Sequence, residues 1–114
     1  MQKFCLMNFK VSSIPLFDKQ AKRLVKKYPS LKNDLAALIE SLTSNPEQGK
    51  PLGNNFYKIR LGIASKGKGK SGGARVITFV KVIQTTVYLT SIYDKGEKET
   101  ISDKELGSIF KTIP

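Results

Sequence analysis

The chain has 114 residues, 39% of them hydrophobic and 25% charged, and carries 20 Lys plus Arg against 9 Asp plus Glu for a formal net charge of +11. This is the composition of one globular domain over 1–114, large enough for its own core, and it excludes a disordered tail or a multidomain machine. A single cysteine, Cys5, excludes a disulfide scaffold, and the absence of histidine removes the commonest zinc ligand and general base.

Chemistry here must therefore rest on Lys, Arg, Tyr, Ser or carboxylates, with no metal or other cofactor expected. The apolar run Phe4-Cys5-Leu6-Met7 is too short for a signal peptide. The uncharged run 82–93 is interrupted by Gln84, Thr85, Thr86, Thr90 and Ser91, so no membrane span is expected and the cytoplasm is the expected location. Met7 is an alternative start, which would make residues 1–6 an N-terminal extension.

Residues 8–12 read as a short strand. Pro15 suits the first turn of a helix and Ser13 its cap. Phe17, Ala21, Leu24, Val25 and Tyr28 share one helical face, and Lys19, Lys22, Arg23, Lys26 and Lys27 fill most of the remainder. Pro29 stops this helix and Ser30 caps a second, on which Leu31, Leu35, Leu38, Ile39 and Leu42 repeat the spacing. Asn45-Pro46 and Gly49 end this helical hairpin.

The remainder is mostly β. Residues 56–61 alternate, with Tyr57, Ile59 and Leu61 on one side and Phe56, Lys58 and Arg60 on the other. A segment rich in glycine and lysine follows over 62–73. Residues 74–82 and 86–93 are rich in Val, Ile, Thr and aromatics, and only a few residues around Gln84 separate them, which predicts an antiparallel hairpin. Ser102 then opens a last helix with Glu105 in capping-box spacing and a stripe of Leu106, Ile109, Phe110 and Ile113. The expected order is β-α-α-β-β-β-α. This is an α+β fold with a small antiparallel-rich sheet on a helical hairpin and a C-terminal helix.

The charge is concentrated. From 50 to 93 there are eight cations, Lys50, Lys58, Arg60, Lys66, Lys68, Lys70, Arg75 and Lys81, and no acid. Such a block cannot neutralise itself locally, and its natural complement is a polyanion. Lys58 and Arg60 share a strand face about 7 Å apart, a spacing that suits phosphates, though an outward polar face is the plainer reading. Arg75 opens the next strand, where its planar fork would stabilise charge and cannot act as a base. It is expected to stand exposed and to add little to stability. Lys81 reads as a solvated edge residue.

The segment 66–73 is not a P-loop, because Ala64 stands where the first glycine is needed and a strand follows it. It reads as a basic hairpin loop in which Lys66, Lys68 and Lys70 track a nucleic-acid backbone, or as a flexible solvent loop. Lys22 and Lys26 on the first helix either contact phosphate or form a solvated face. Tyr93 and Lys95 end the last strand, where they could stack on a base or transfer protons. The acids Asp94, Glu97, Glu99, Asp103 and Glu105 read as local counter-charge around the final helix.

Together, the helical hairpin, Phe56-Tyr-Lys-Ile-Arg-Leu61, Lys70-Ser-Gly-Gly-Ala-Arg-Val-Ile77, Leu89-Thr-Ser-Ile-Tyr-Asp-Lys95 and Ile101-Ser-Asp-Lys-Glu-Leu106 resemble the RelE/HigB-like toxins of bacterial type II toxin–antitoxin modules. The resemblance runs from Asn8 onward. It implies an endoribonuclease that cuts mRNA on the translating ribosome without metal. It also implies a cognate antitoxin with an acidic segment, in a toxin–antitoxin hetero-oligomer. By the same resemblance Arg75 matches a phosphate-binding arginine, Lys58 and Arg60 match basic positions on the preceding strand, and Lys95 stands where some members have arginine. Several members carry a catalytic tyrosine after the last strand, where Lys98-Glu-Thr-Ile101 has none, and others use histidine. The base is then Tyr93 or a lysine. The alternatives are a gyrase poison of ParE type on the same fold and a non-catalytic nucleic-acid-binding module.

Overall fold

The computed structural model describes residues 8–66 and 73–114, with Lys66 described by its backbone alone. Cys5, Met7, the extension 1–6 and the loop lysines Lys68 and Lys70 lie outside the described residues, as does the Lys66 side chain.

The strands are β1 (Lys10–Ser13), β2 (Lys50–Gly53), β3 (Phe56–Leu61), β4 (Ala74–Lys81) and β5 (Thr86–Asp94). The helices are α1 (Pro15–Lys27), α2 (Leu31–Ser44) and α3 (Asp103–Phe110). One sheet runs β1-β5-β4-β3-β2. Its pairings are antiparallel except for β1 with β5, which are parallel.

The order is thus β-α-α-β-β-β-β-α, one strand more than the sequence pattern predicts. The extra strand, β2, holds Pro51 and Gly53, both poor strand formers, and survives because it lies at the sheet edge, where a missing N–H is tolerated. It joins β3 through Asn54 and Asn55, both left-handed with φ of 53° and 68°, as tight hairpin turns require.

The caps differ in part from expectation. Ile14, not Ser13, is the N-cap of α1, and the Ser13 hydroxyl donates to Asp18 at 2.6 Å. Ser30 sits at the N-cap of α2, where its carbonyl accepts from the Asn33 and Asp34 N–H groups at 3.0 Å, but its hydroxyl caps no helical N–H. Its oxygen accepts instead from the Ser65 N–H at 2.8 Å, while Asp34 accepts from the Ala64 N–H at 3.2 Å. The first turn of α2 therefore anchors the short helical turn Ala64–Lys66 that leads into the basic loop. The capping box of Ser102 and Glu105 forms as expected.

The sheet separates two apolar layers. Ile59 and Leu61 share a cleft with Asp34, Ala37, Leu38 and Ser41 of α2, so this face meets the helical hairpin. Leu24, Leu31, Leu42, Val76 and Val87 are fully buried. On the other face Phe56 stacks tilted on Phe79, with centroids 5.1 Å apart, and Phe110 of α3 meets Phe79 edge-on at 5.7 Å. α3 thus covers one end of that face. The cationic side chains occupy the other end.

Candidate active site

Register builds the site. Phe56, Lys58 and Arg60 of β3 lie opposite Phe79, Ile77 and Arg75 of β4, which puts all six on one face. Arg75 also lies opposite Tyr93 of β5. On the outer side Lys50 of β2 lies opposite Lys58. Strict alternation would send Tyr88 and Tyr93 to different faces. A bulge at Thr90, where the β4–β5 register slips between Ile77 and Thr78, restores Tyr93 to the face of Arg75. The Thr90 hydroxyl fixes this bulge by donating to the Ile77 carbonyl at 2.8 Å.

Gly73 explains the glycine ahead of Arg75. A Cβ there would stand 2.2 Å from the Leu61 carbonyl oxygen, so only glycine lets β4 begin beside β3. The Lys95 N–H donates to the Gly73 carbonyl at 3.0 Å, which ties the end of β5 to the same point.

Arg75 is only 4% exposed, not the exposed arginine that its place at a strand start suggests. One guanidinium N–H donates to the Ala74 carbonyl at 3.3 Å. The side chain is enclosed because strands flank β4 on both sides.

Lys58 is the electrostatic centre. Its amine is held below the ordinary lysine value, first by burial and then by Lys50, Arg75, Arg60 and Lys95. The charges that most depress it are all cations. Tyr93 behaves oppositely. Burial pushes its phenol up, Arg75 partly offsets this, and Glu105 adds to it. Its hydroxyl is buried beside Thr100 without a well-formed hydrogen bond to any described residue. The Lys98 ammonium lies 5.4 Å from its ring centre and pairs with Glu105, clasping the start of α3 over the ring.

The structure therefore brings Lys58, Arg60, Arg75, Tyr93 and Lys95 together. Lys22 and Lys26 stand exposed on α1, in the helical layer and apart from this cluster. Lys81 donates to the Pro114 backbone oxygen at 2.6 Å, away from the cluster.

Two features escape sequence reasoning. Lys50 joins the site only because the Asn54-Asn55 turn folds β2 back, a turn signal that was there to read. The acids, moreover, do not all serve the last helix. Asp94 is buried and accepts from the Tyr28 hydroxyl at 3.0 Å, while Glu97 pairs with Arg23 at 3.0 Å and Lys27 at 3.3 Å, so both serve the α1 side. Among the described residues no group of three or more Cys, Asp or Glu could hold a metal ion, and no helix is long and apolar enough to cross a membrane.

A family model described as the RelE toxin of the RelE/RelB toxin–antitoxin system matches residues 16–113. The chain belongs to the RelE toxin family. The fold agrees with that of solved RelE structures. The free Escherichia coli toxin RelE, solved as a mutant, superposes with a TM-score of 0.63 at 16% identity, over 95% of this chain and 100% of that one. The intact E. coli RelBE toxin–antitoxin complex gives a TM-score of 0.57 at 17% identity, over 75% of this chain and 95% of the other. A metal-bound toxin from Helicobacter pylori gives 0.50 at 20% identity, over 78% and 97%. This RelE-family toxin keeps the fold at low identity, so its own side chains must carry the functional argument.

Proposed function

We propose that this toxin is a ribosome-dependent mRNA endonuclease that arrests translation in the cytoplasm. The observation that carries the reading is the register that sets Lys58, half-buried, opposite Lys50 and on one face with Arg60 and Arg75. Cations gathered on one face repel one another until an anion enters, and the anion that fits a sheet of Lys and Arg is a phosphodiester backbone.

The chemistry follows from the residue types. The ribose 2′-OH attacks the adjacent phosphorus, the 2′-oxygen–phosphorus bond forms, and the bond to the 5′-oxygen breaks. Lys58 in its neutral form takes the 2′-OH proton, a role its lowered pKa favours. Arg75 and Arg60 hold the non-bridging oxygens as charge builds on the phosphorane. Lys95 gives a proton to the departing 5′-oxygen. Tyr93 supports Arg75 by packing. Lys66, Lys68 and Lys70, with Lys22 and Lys26, add attraction to the RNA backbone.

Control comes from a cognate antitoxin whose acidic segment covers this face in a hetero-oligomer, as the RelE of E. coli is found with RelB. The test is purified toxin on mRNA-programmed ribosomes. The reading requires new mRNA ends bearing 2′,3′-cyclic phosphate and 5′-hydroxyl groups. Intact mRNA on toxin-bound ribosomes overturns it.

A further inference from the structure

Lys50 lies outside the catalytic set yet is the foremost of the charges that depress the Lys58 amine. Beside it is a cleft of about 480 Å³ lined by Gln48, Gly49, Lys50, Lys58, Ile59 and Arg60, a wall with three cations and no acid. Its geometry is fixed. Gly49 has φ of +94°, and a Cβ there would stand 2.4 Å from the Lys58 carbonyl oxygen, so the chain is pressed against β3 immediately before Lys50. Gln48 is pinned as well, its amide nitrogen donating to the Ser41 hydroxyl at 2.9 Å and the Asn45 carbonyl at 3.0 Å.

Resting on the endonuclease reading, we propose that this cleft binds the nucleotide next to the scissile one in single-stranded RNA, with Lys50 on its phosphate. Lys50 is two strands across and two residues along from Arg75, roughly 12 Å at the backbone, a separation that spreads the two charges over successive phosphates of an extended strand. The cations therefore step across β4, β3 and β2 as a track, and the RNA backbone runs across the strands instead of along one of them.

The test is equilibrium binding of labelled RNAs blocked by 2′-O-methylation, using a dinucleotide with one internal phosphate and a hexanucleotide, each across a salt series. Lys50→Ala should weaken the hexanucleotide roughly fivefold, lower its salt slope by about 0.7, and leave the dinucleotide unchanged. Lys50→Arg should restore hexanucleotide binding. Lys19→Ala, which removes the same charge from the exposed face of α1, should change neither RNA.

Equal weakening of both RNAs, or an equal loss in Lys19→Ala, overturns the proposal in favour of a general field. Wild-type binding by Lys50→Ala overturns the subsite alone. Failure of the wild-type toxin to bind either RNA overturns the subsite, whereas the endonuclease reading stands or falls on cleavage of ribosome-bound mRNA.

Discussion

Arg60 of β3 and Arg75 of β4 stand directly opposite each other on one face of the sheet. Like charges in that position destabilise a sheet by about 0.2–1 kcal/mol. Replacing the more exposed partner, Arg60→Thr, should therefore raise the Tm by a few degrees at low salt and less at high salt, while mRNA cleavage falls. Thermal unfolding checks this. A lower Tm in the variant would mean that the pair supports the fold and is not a cost accepted for function.

Lys58 gives a pH dependence with a definite sign. Its amine titrates below the ordinary lysine value in the folded state, so the folded protein binds fewer protons than the unfolded chain. The resulting penalty is full below the lowered pKa and is relieved as pH rises from there to the ordinary lysine value. Cleavage should rise with pH up to the lowered pKa as the neutral amine accumulates and level off above it, and Lys58→Arg should lose both the rate and its pH slope. A pH–rate profile of the variant that parallels wild type would place the base elsewhere.

The two outcomes of reading the chain have physical causes. The helical faces, the β4–β5 hairpin and the Ser102 capping box obey short-range rules of spacing, and all were legible. The edge strand β2 was not, since Pro51 and Gly53 oppose a strand locally and only pairing with β3 makes one. Clustering of Lys58, Arg60 and Arg75 follows from alternation plus register, yet the approach of Tyr93 depends on the bulge at Thr90, which alternation cannot foresee. The burial of Arg75 was hidden as well, because strand alternation assigns a side chain to a face but does not say how far its neighbours enclose it.

Tyr93→Phe separates packing from proton transfer. The buried hydroxyl has no well-formed hydrogen bond among the described residues, and an unsatisfied buried group costs roughly 1–3 kcal/mol. The variant should therefore be at least as stable as wild type and should cleave mRNA at close to the wild-type rate. A rate loss of a hundredfold with the fold intact would name the phenol as acid or base.

The clasp over Tyr93 makes α3 sensitive to acid. Lys98 first, then the Ser102 N–H, hold the Glu105 carboxyl below the usual carboxylate range. Its contribution is present above the unfolded-state pKa and is lost as pH falls through the lowered folded value. Ser102→Ala removes the cap and should cost about 1 kcal/mol. Chemical denaturation at neutral pH and under acid checks both, and the gap between Glu105→Gln and wild type should narrow as pH falls.

Single-turnover cleavage of ribosome-bound mRNA by wild type, Arg75→Ala and Arg75→Lys tests the central claim most directly. Because Arg75 is buried, each variant is first matched to wild type by circular dichroism and ribosome binding. The account predicts that Arg75→Ala loses a hundredfold or more in rate, about 3 kcal/mol of transition-state stabilisation, and that Arg75→Lys recovers little, since an ammonium cannot fork across two phosphate oxygens. A folded, ribosome-bound Arg75→Ala toxin that cuts mRNA at the wild-type rate would contradict it.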